Sequence, residues 1–127
     1  MPKQLKWVGS SYEDLNEFPK EVRKATGYAL HLAQIGEKSP SAEVLKGMGN
    51  AKVLEIKENA PSGTYRTVYC VEFKEYIYVL HAFQKKSKSG IATDKKDLDL
   101  IDQRLKEAKV AYKELKKREK NEIKHKR

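Results

Sequence analysis

Two neighbouring runs of β-branched and aromatic residues constrain the fold of this chain more than any other feature. They are TYRTVYCVEF at 64–73 and YIYVLHAF at 76–83, and only Lys74 and Glu75 separate them. Residues of this kind fit the pleated, half-buried surface of a sheet. A two-residue connection joins two strands only as antiparallel neighbours. The sequence therefore predicts a β-hairpin with a two-residue turn.

The length of this turn also predicts which residues of the hairpin face each other. If the residues beside the turn pair, Arg66 lies opposite Phe83 and Val68 lies opposite His81. Residues two apart on a strand share a face. Four side chains should therefore gather on one face at the end away from the turn: Arg66, His81, Phe83 and Lys85. Nearer the turn, the same face should carry a core-like group: Cys70, Ile77 and Val79.

Helical periodicity precedes the hairpin. From Leu15 to Leu32, apolar residues recur at alternating spacings of three and four, which is typical of one face of a helix. Ser11 and Asp14 match a capping box at the start of this segment. Pro19 falls inside the pattern, so it should either kink the helix or begin a second one. We therefore expect two N-terminal helices or one kinked helix.

Strand and helix patterns also occupy the rest of the chain. Short strands are expected at 5–9 and 51–59, and the tight turn PSG joins the second of them to the hairpin. An apolar stripe from Asp94 to Leu115 predicts a C-terminal helix that packs on the sheet. The predicted fold class is therefore α+β, with an antiparallel sheet of about four strands. Residues 1–115 should form this single domain, and the basic residues 116–127, which lack an apolar face, should form a disordered tail.

Charge and composition narrow the classes of function. The formal net charge of +9 favours an anionic partner such as nucleic acid. Cys70 is the only cysteine and lies in an apolar run, which suits a buried thiol in a reducing compartment. No apolar run approaches the roughly 20 residues that span a bilayer, and no carboxylates are spaced for a metal. We therefore expect a cytoplasmic protein without membrane contact, metal or cofactor.

The predicted cluster at the end of the hairpin suits metal-free RNA cleavage, in which a ribose 2′-OH attacks the adjacent phosphate. Arg66 offers a planar fork of donors for a phosphate, and His81 titrates near neutrality and can move a proton. The predicted catalytic set is completed by two lysines: Lys85 and Lys86. Three more residues are predicted to contact RNA: Phe83, Ser87 and Lys88.

Each of these signals also has a simpler structural explanation. Arg66 in a strand is as often a solvated or ion-paired residue as a functional one. His81 in an apolar strand is more often a hydrogen-bonded core histidine. The lysines after Phe83 can be a solvated loop that ends an edge strand. Only their convergence at one end of the hairpin favours the chemical interpretation.

Three segments of the chain together resemble a known family. They are FPKEVRKATGYALHLAQIG at 18–36, GMGNAKVLEIKEN at 47–59 and TYRTVYCVEFKEYIYVLHAFQKKSKSG at 64–90. They are similar to the HigB-like, phage-derived branch of the RelE/ParE toxin superfamily, and the resemblance covers about residues 5–112. It implies a RelE-like fold of the microbial ribonuclease type. It also implies the toxin of a type II toxin–antitoxin pair, whose partner is a helix-turn-helix antitoxin.

The resemblance also implies an activity and its residues. Many such toxins cut mRNA on the ribosome without a metal, so the expected enzyme is an endoribonuclease. Arg66 matches the arginine of the third strand, and Lys85 and Lys86 match the basic residues after the fourth. Some relatives use a C-terminal tyrosine or histidine as acid or base, but neither Tyr112 nor His125 can be assigned that role from the sequence. Two alternatives stay open: a ParE-like gyrase poison without nuclease activity, and a non-catalytic basic module that binds nucleic acid.

Overall fold

The protein is described here by a computed structural model that covers residues 1–49, 52–85 and 92–125, without the side chain of His125. These residues form five strands and three helices. In chain order they are β1 (Gln4–Trp7), α1 (Ser11–Asn16), α2 (Lys20–Gln34), β2 (Ala42–Val44), β3 (Val53–Ala60), β4 (Gly63–Cys70), β5 (Tyr76–Lys85) and α3 (Lys95–His125).

All five strands lie in one sheet, in the order β1-β5-β4-β3-β2. Four of them are antiparallel neighbours, whereas β1 runs parallel to β5 and pairs Gln4 with Tyr76. The predicted α+β class with an antiparallel sheet is confirmed, although the sheet has five strands where about four were predicted and one of its pairs is parallel. The additional strand, β2, has only three residues, and two of them are exposed, so it leaves little pattern in the sequence.

The central hairpin has the predicted pairing at the end away from its turn. Arg66 lies opposite Phe83, and Val68 lies opposite His81. The predicted two-residue turn is wrong. β4 ends at Cys70 and β5 begins at Tyr76, so a loop of five residues joins them.

A β-bulge absorbs this difference in loop length. The register shifts between Val68 and Tyr69, so that Tyr69 pairs with Val79. An extra residue reverses the faces of everything beyond it. Cys70 therefore packs in one cluster while Ile77 and Val79 pack in another. The predicted core-like group of these three side chains is wrong for this reason.

The two faces of the sheet carry separate hydrophobic clusters. Residues of α1 and α2 share one of them with side chains from β3, β4 and β5: Leu15, Val22, Leu30, Ile56, Tyr69 and Ile77. Residues of α3 share the other: Val53, Val68, Leu80, Ile101 and Leu105. The central strands β3, β4 and β5 are therefore covered on both faces, and polar side chains there are buried as well.

The N-terminal helices begin near the predicted positions. Pro19 directly precedes α2 and separates it from α1. Of the two predicted alternatives, two helices rather than one kinked helix are therefore present. The N-cap of α1 is Ser10 and not Ser11, and the Ser10 hydroxyl donates to Asp14 at 2.7 Å. The Ser11 hydroxyl instead donates to the carbonyl of Val79 at 3.1 Å, which fastens α1 to β5. The predicted capping box is therefore wrong, because the side chain of the N-cap residue Ser10 makes no hydrogen bond to the backbone of α1.

Arg104 of α3 connects the bulge to the loop before α1. One guanidinium nitrogen donates to the Leu80 carbonyl at 2.9 Å, and another lies 3.2 Å from the Ser10 hydroxyl. The guanidinium lies so close to Gly9 that an added Cβ would come within 2.7 Å of Arg104 Nε, and Gly9 has a φ of +57°. The positive φ favours glycine at this turn, and an added Cβ would also displace the Arg104 guanidinium.

Residues 116–125 of the basic C-terminal segment are helical rather than disordered. α3 continues to His125, well past Leu115, where its apolar stripe ends. Lysine, arginine and glutamate dominate residues 116–125, and all three are good helix formers. Although α3 has 31 residues, no helix in the described part of the chain carries an apolar stretch that would cross a membrane.

Glu75 fastens α3 to the loop between β4 and β5. It accepts a hydrogen bond of 2.8 Å from the Tyr112 hydroxyl and a second one from the Lys116 ammonium. The Lys116 bond, and then the Tyr112 bond, lower the pKa of Glu75 from its ordinary value of 4.5. A lowered carboxyl pKa stabilises the folded state above the unfolded pKa, and this contribution is lost as the pH falls through the folded pKa.

We expect Glu75→Gln to remove this pH dependence. The wild-type free energy of unfolding should fall more steeply than that of Glu75→Gln between about pH 6 and about pH 3. Urea titrations at several pH values measure both curves. Curves that stay parallel over this range would show that the Glu75 contacts do not stabilise the fold.

Candidate functional site

The structure places three of the four predicted catalytic side chains at the same end of the sheet. Arg66 is on β4, and His81 and Lys85 are on β5, on the strand face that Arg66 shares through its pairing with Phe83. The fourth, Lys86, lies outside the described residues, as do the predicted RNA contacts Ser87 and Lys88.

Arg66 is buried in an internal ion pair. Its side chain is 2% exposed, and its Nη1 donates to Glu55 Oε1 at 2.9 Å and to Thr93 Oγ1 at 3.1 Å. The Thr93 hydroxyl donates in turn to Glu55 Oε2 at 2.5 Å. The three side chains thus form a closed network between β3, β4 and the segment before α3. Arg66 is thus an ion-paired residue in this conformation, as the simpler structural explanation expected.

His81 is held between an acid and an aromatic ring. Its Nε2 lies 2.9 Å from Asp97 Oδ1 in the first turn of α3. Its ring stacks on Phe83, with 4.4 Å between the ring centroids and 17° between the ring planes. His81 Nδ1 is buried and has no hydrogen-bond partner among the residues that the structure covers. An imidazole bound to a carboxylate in this way is oriented for proton transfer, although Phe83 is then a stacking partner of His81 rather than an open platform for a base.

Lys85 is also held within the protein. It is 8% exposed, its ammonium donates to the carbonyl of Ala92, and Asp94 Oδ1 lies 3.3 Å from it. Lys85 thus connects the end of β5 to the residues immediately before α3.

The three basic side chains of this site share one property, which is an acidic partner. The partners are Glu55 for Arg66, Asp97 for His81 and Asp94 for Lys85. The sequence argument did not identify these acids. Asp94 and Asp97 lie at the start of a helix, where acids also suit the helix dipole, so their position alone did not indicate a pairing.

A cleft opens beside Arg66 and gives solvent a route to the network. It has a volume of about 300 Å³ and lies between β2, β3 and the start of α3. Its walls include Glu55, Arg66 and Thr93 together with two lysines, Lys46 and Lys57. Lys57 pairs directly with Arg66 in the sheet and is only loosely bound, with its Nζ 3.8 Å from Glu43.

Lys57 and Lys46 are the cations that the sequence argument missed. Neither belongs to the hairpin of β4 and β5, so the pairing of that hairpin could not bring them to the site. The sequence did contain a feature that predicts this pairing. A two-residue turn at 61–62, within PSG, places Lys57 opposite Arg66 in the antiparallel pair of β3 and β4.

Tyr112 is remote from this cleft. Asp97, which contacts His81, precedes Tyr112 by 15 residues on the same helix, which corresponds to roughly 22 Å. The hydrogen bond to Glu75, with burial as the second cause, raises the pKa of Tyr112. Tyr112 is therefore a structural contact at the opposite end of the sheet from Arg66.

No group of three or more acidic, histidine or cysteine side chains suited to a metal occurs in the part of the chain that the structure describes.

Among solved structures, a free-state double arginine-to-alanine variant of the E. coli toxin RelE is similar, with 24% identity and a TM-score of 0.49 over 66% of this chain and 84% of that one. No curated protein matches significantly. The sequence profile described as "Phage derived protein Gp49-like" matches residues 13–106, which is most of the chain. The chain therefore belongs to the phage-derived Gp49-like family, a family of RelE-like toxins.

Proposed function

We propose that this protein is the HigB-like toxin of a type II toxin–antitoxin pair and that it cleaves mRNA on the ribosome without a metal. Membership of the Gp49-like family supports the toxin assignment. The single observation that carries the nuclease assignment is the cleft beside Arg66, where a buried guanidinium and two lysines line one open cavity. An anionic backbone that enters this cavity meets three positive charges, beside the carboxylates of Glu43 and Glu55 that also line it.

In the proposed reaction, the ribose 2′-oxygen attacks the adjacent phosphorus and the bond from phosphorus to the 5′-oxygen breaks. The products are a 2′,3′-cyclic phosphate and a free 5′-hydroxyl. Arg66 stabilises the extra negative charge of the phosphorane-like transition state. Lys85 and Lys86 hold the backbone, one of them accepting the 2′-proton, and His81 supplies a proton to the leaving oxygen. Phe83, Ser87 and Lys88 contact the flanking RNA.

The ion pair of Arg66 adds one requirement to this mechanism. The scissile phosphate has to replace Glu55 as the partner of the guanidinium. A phosphate accepts hydrogen bonds from arginine as a carboxylate does, so it can take the place of Glu55, whose Oε1 accepts a bond of 2.9 Å from Arg66 Nη1. Glu55 then becomes a free carboxylate beside the reacting ribose.

The internal pairing of Arg66 also favours a second candidate function. If Glu55 keeps the guanidinium, the arginine is structural and the fold carries no RNA chemistry. The protein is then a gyrase poison or a non-catalytic module that binds nucleic acid. In either case, the expected partner that neutralises the toxin is a helix-turn-helix antitoxin.

Induced expression with mapping of mRNA 5′ ends separates these candidates. The nuclease proposal predicts new 5′ ends within translated regions soon after induction, and their loss when the neighbouring antitoxin gene is expressed as well. A supercoiling assay with purified gyrase is run in parallel. Growth arrest with intact mRNA and inhibited supercoiling would overturn the nuclease proposal in favour of the gyrase poison.

A further inference from the structure

The second half of α3 carries a row of lysines that the candidate site does not use. Four of them follow one another at spacings of four, three and four residues: Lys113, Lys117, Lys120 and Lys124. At 100° per residue, these positions fall on one side of the helix. All four are exposed. We call them the α3 lysine stripe.

The charges of the stripe are not neutralised by the protein itself. The lysines that precede it on the same side of α3 do have acidic partners, since Lys106 lies 3.1 Å from Asp102 and Lys109 lies 4.0 Å from Glu72. No salt bridge to any stripe lysine occurs within the described parts of the chain. The stripe is therefore a linear array of available cations, about 16 Å long on a regular helix.

The helix also holds the stripe away from the rest of the fold. Lys116 contacts Glu75 in the loop between β4 and β5, and Arg118 still borders a cleft with Lys6 and Trp7 of β1, whereas the stripe lysines do not line that cleft. Lys113 follows Leu98, which lines the cleft beside Arg66, by 15 residues, so the stripe begins roughly 22 Å from that cleft. A ligand on the stripe and a ligand in the cleft can therefore bind independently.

We infer that the α3 lysine stripe binds the phosphate backbone of an RNA duplex. Its regular row of cations complements a regular row of phosphates. Residues 113–125 contain no phenylalanine, tyrosine or tryptophan. The ring of the preceding Tyr112 packs against Phe73 and its hydroxyl is bound to Glu75, so the stripe lacks the open stacking platform that single-stranded nucleic acid requires. Beyond Lys116, Ile123 is the only large apolar residue, so the helix has no apolar face for a membrane. The choice of RNA rather than DNA rests on the proposed function.

Neutralising the stripe tests this inference. The stripe variant combines Lys113→Gln, Lys117→Gln, Lys120→Gln and Lys124→Gln, and glutamine keeps the helix propensity of lysine. The matched control removes four exposed lysines elsewhere: Lys24→Gln, Lys52→Gln, Lys74→Gln and Lys95→Gln. Both variants lose four positive charges, so any difference between them reports position and not net charge.

Fluorescence anisotropy with a blunt RNA duplex at several salt concentrations measures the binding. The slope of log Kd against log salt is expected to be smaller in the stripe variant by about 3 to 4, because each lost phosphate contact contributes about 0.9. The control should keep the wild-type slope, and a variant with arginine at the four positions should bind as wild type does. Circular dichroism checks that α3 stays helical.

Equal slopes for the stripe variant and the control would overturn the inference. A DNA duplex that binds as tightly, with the same dependence on the stripe, would overturn the assignment to RNA. Neither outcome bears on cleavage, since the duplex offers no ribosome-bound message and mRNA 5′ ends report the cleft separately. The stripe inference and the proposed nuclease function can thus fail independently.

Discussion

Arg66→Ala is expected to lower the free energy of unfolding by about 3–5 kcal/mol, because it leaves the Glu55 carboxylate buried without its cation. Glu55 is 3% exposed, and the Thr93 hydroxyl would remain as its hydrogen-bond donor. Urea unfolding followed by circular dichroism measures the loss.

A double variant provides the control for this prediction. Glu55→Leu with Arg66→Met replaces both charges by apolar side chains of similar size, and such replacements of buried ion pairs are often neutral. The double variant should therefore recover most of the stability that Arg66→Ala loses. If Arg66→Ala alone unfolds at the wild-type urea concentration, the pair does not stabilise the fold.

The same contact changes how a functional test of Arg66 has to be designed. The assignment of Arg66 as a catalytic residue predicts that Arg66→Ala abolishes toxicity in a protein that still folds. Because the arginine is buried and ion-paired, loss of toxicity in that variant would report unfolding as readily as lost chemistry. A replacement that preserves the positive charge is required.

Arg66→Lys is expected to reduce mRNA cleavage by about 100-fold or more while the protein stays folded. The lysine ammonium can still pair with Glu55, but it lacks the planar fork that binds a phosphate through two bonds. Losing one preorganised donor to the transition state costs on the order of 100- to 1,000-fold in rate. Cleavage of a defined message in a purified translation system gives the rate.

Arg104→Lys is the matched control for Arg66→Lys. Arg104 is a partly buried arginine that contacts the Leu80 carbonyl and lies outside the cleft. We expect it to lose some stability and to keep the wild-type cleavage rate per folded molecule. If Arg66→Lys cleaves as fast as wild type, the guanidinium of Arg66 is structural and the second candidate function is favoured.

Local patterns were enough to predict the helices and the far end of the hairpin. The pairing of Arg66 with Phe83 followed from the two strand runs, although the assumed turn was too short. The bulge beyond Val68 offsets the longer loop, so the pairs on the far side of the bulge from the loop keep the predicted register. The faces of Cys70 and Ile77 depend on the bulge, and nothing in their own residue types marks it.

The acidic partners were not predictable because they depend on which faces are covered. Glu55 alternates with Leu54 and Ile56, a pattern that usually places the charged residue in solvent. In the structure α3 covers that face, so Glu55 is buried and requires a cation. The identity of that cation depends on the pairing of β3 with β4. Tertiary coverage, rather than local propensity, therefore determined the chemistry of the site.

The parallel pairing of β1 with β5 has a consequence for how the chain acquires its shape during synthesis. Gln4 pairs with Tyr76, which follows it by 72 positions, so β1 can join the edge of the sheet only after β5 has been made. Contacts between such distant parts of a chain form slowly, because a long loop has to close first. The growing polypeptide thus exposes Leu5 and Trp7 until β5 has been translated. The sheet, and with it any harmful activity that needs the complete fold, therefore cannot form before the ribosome has passed β5.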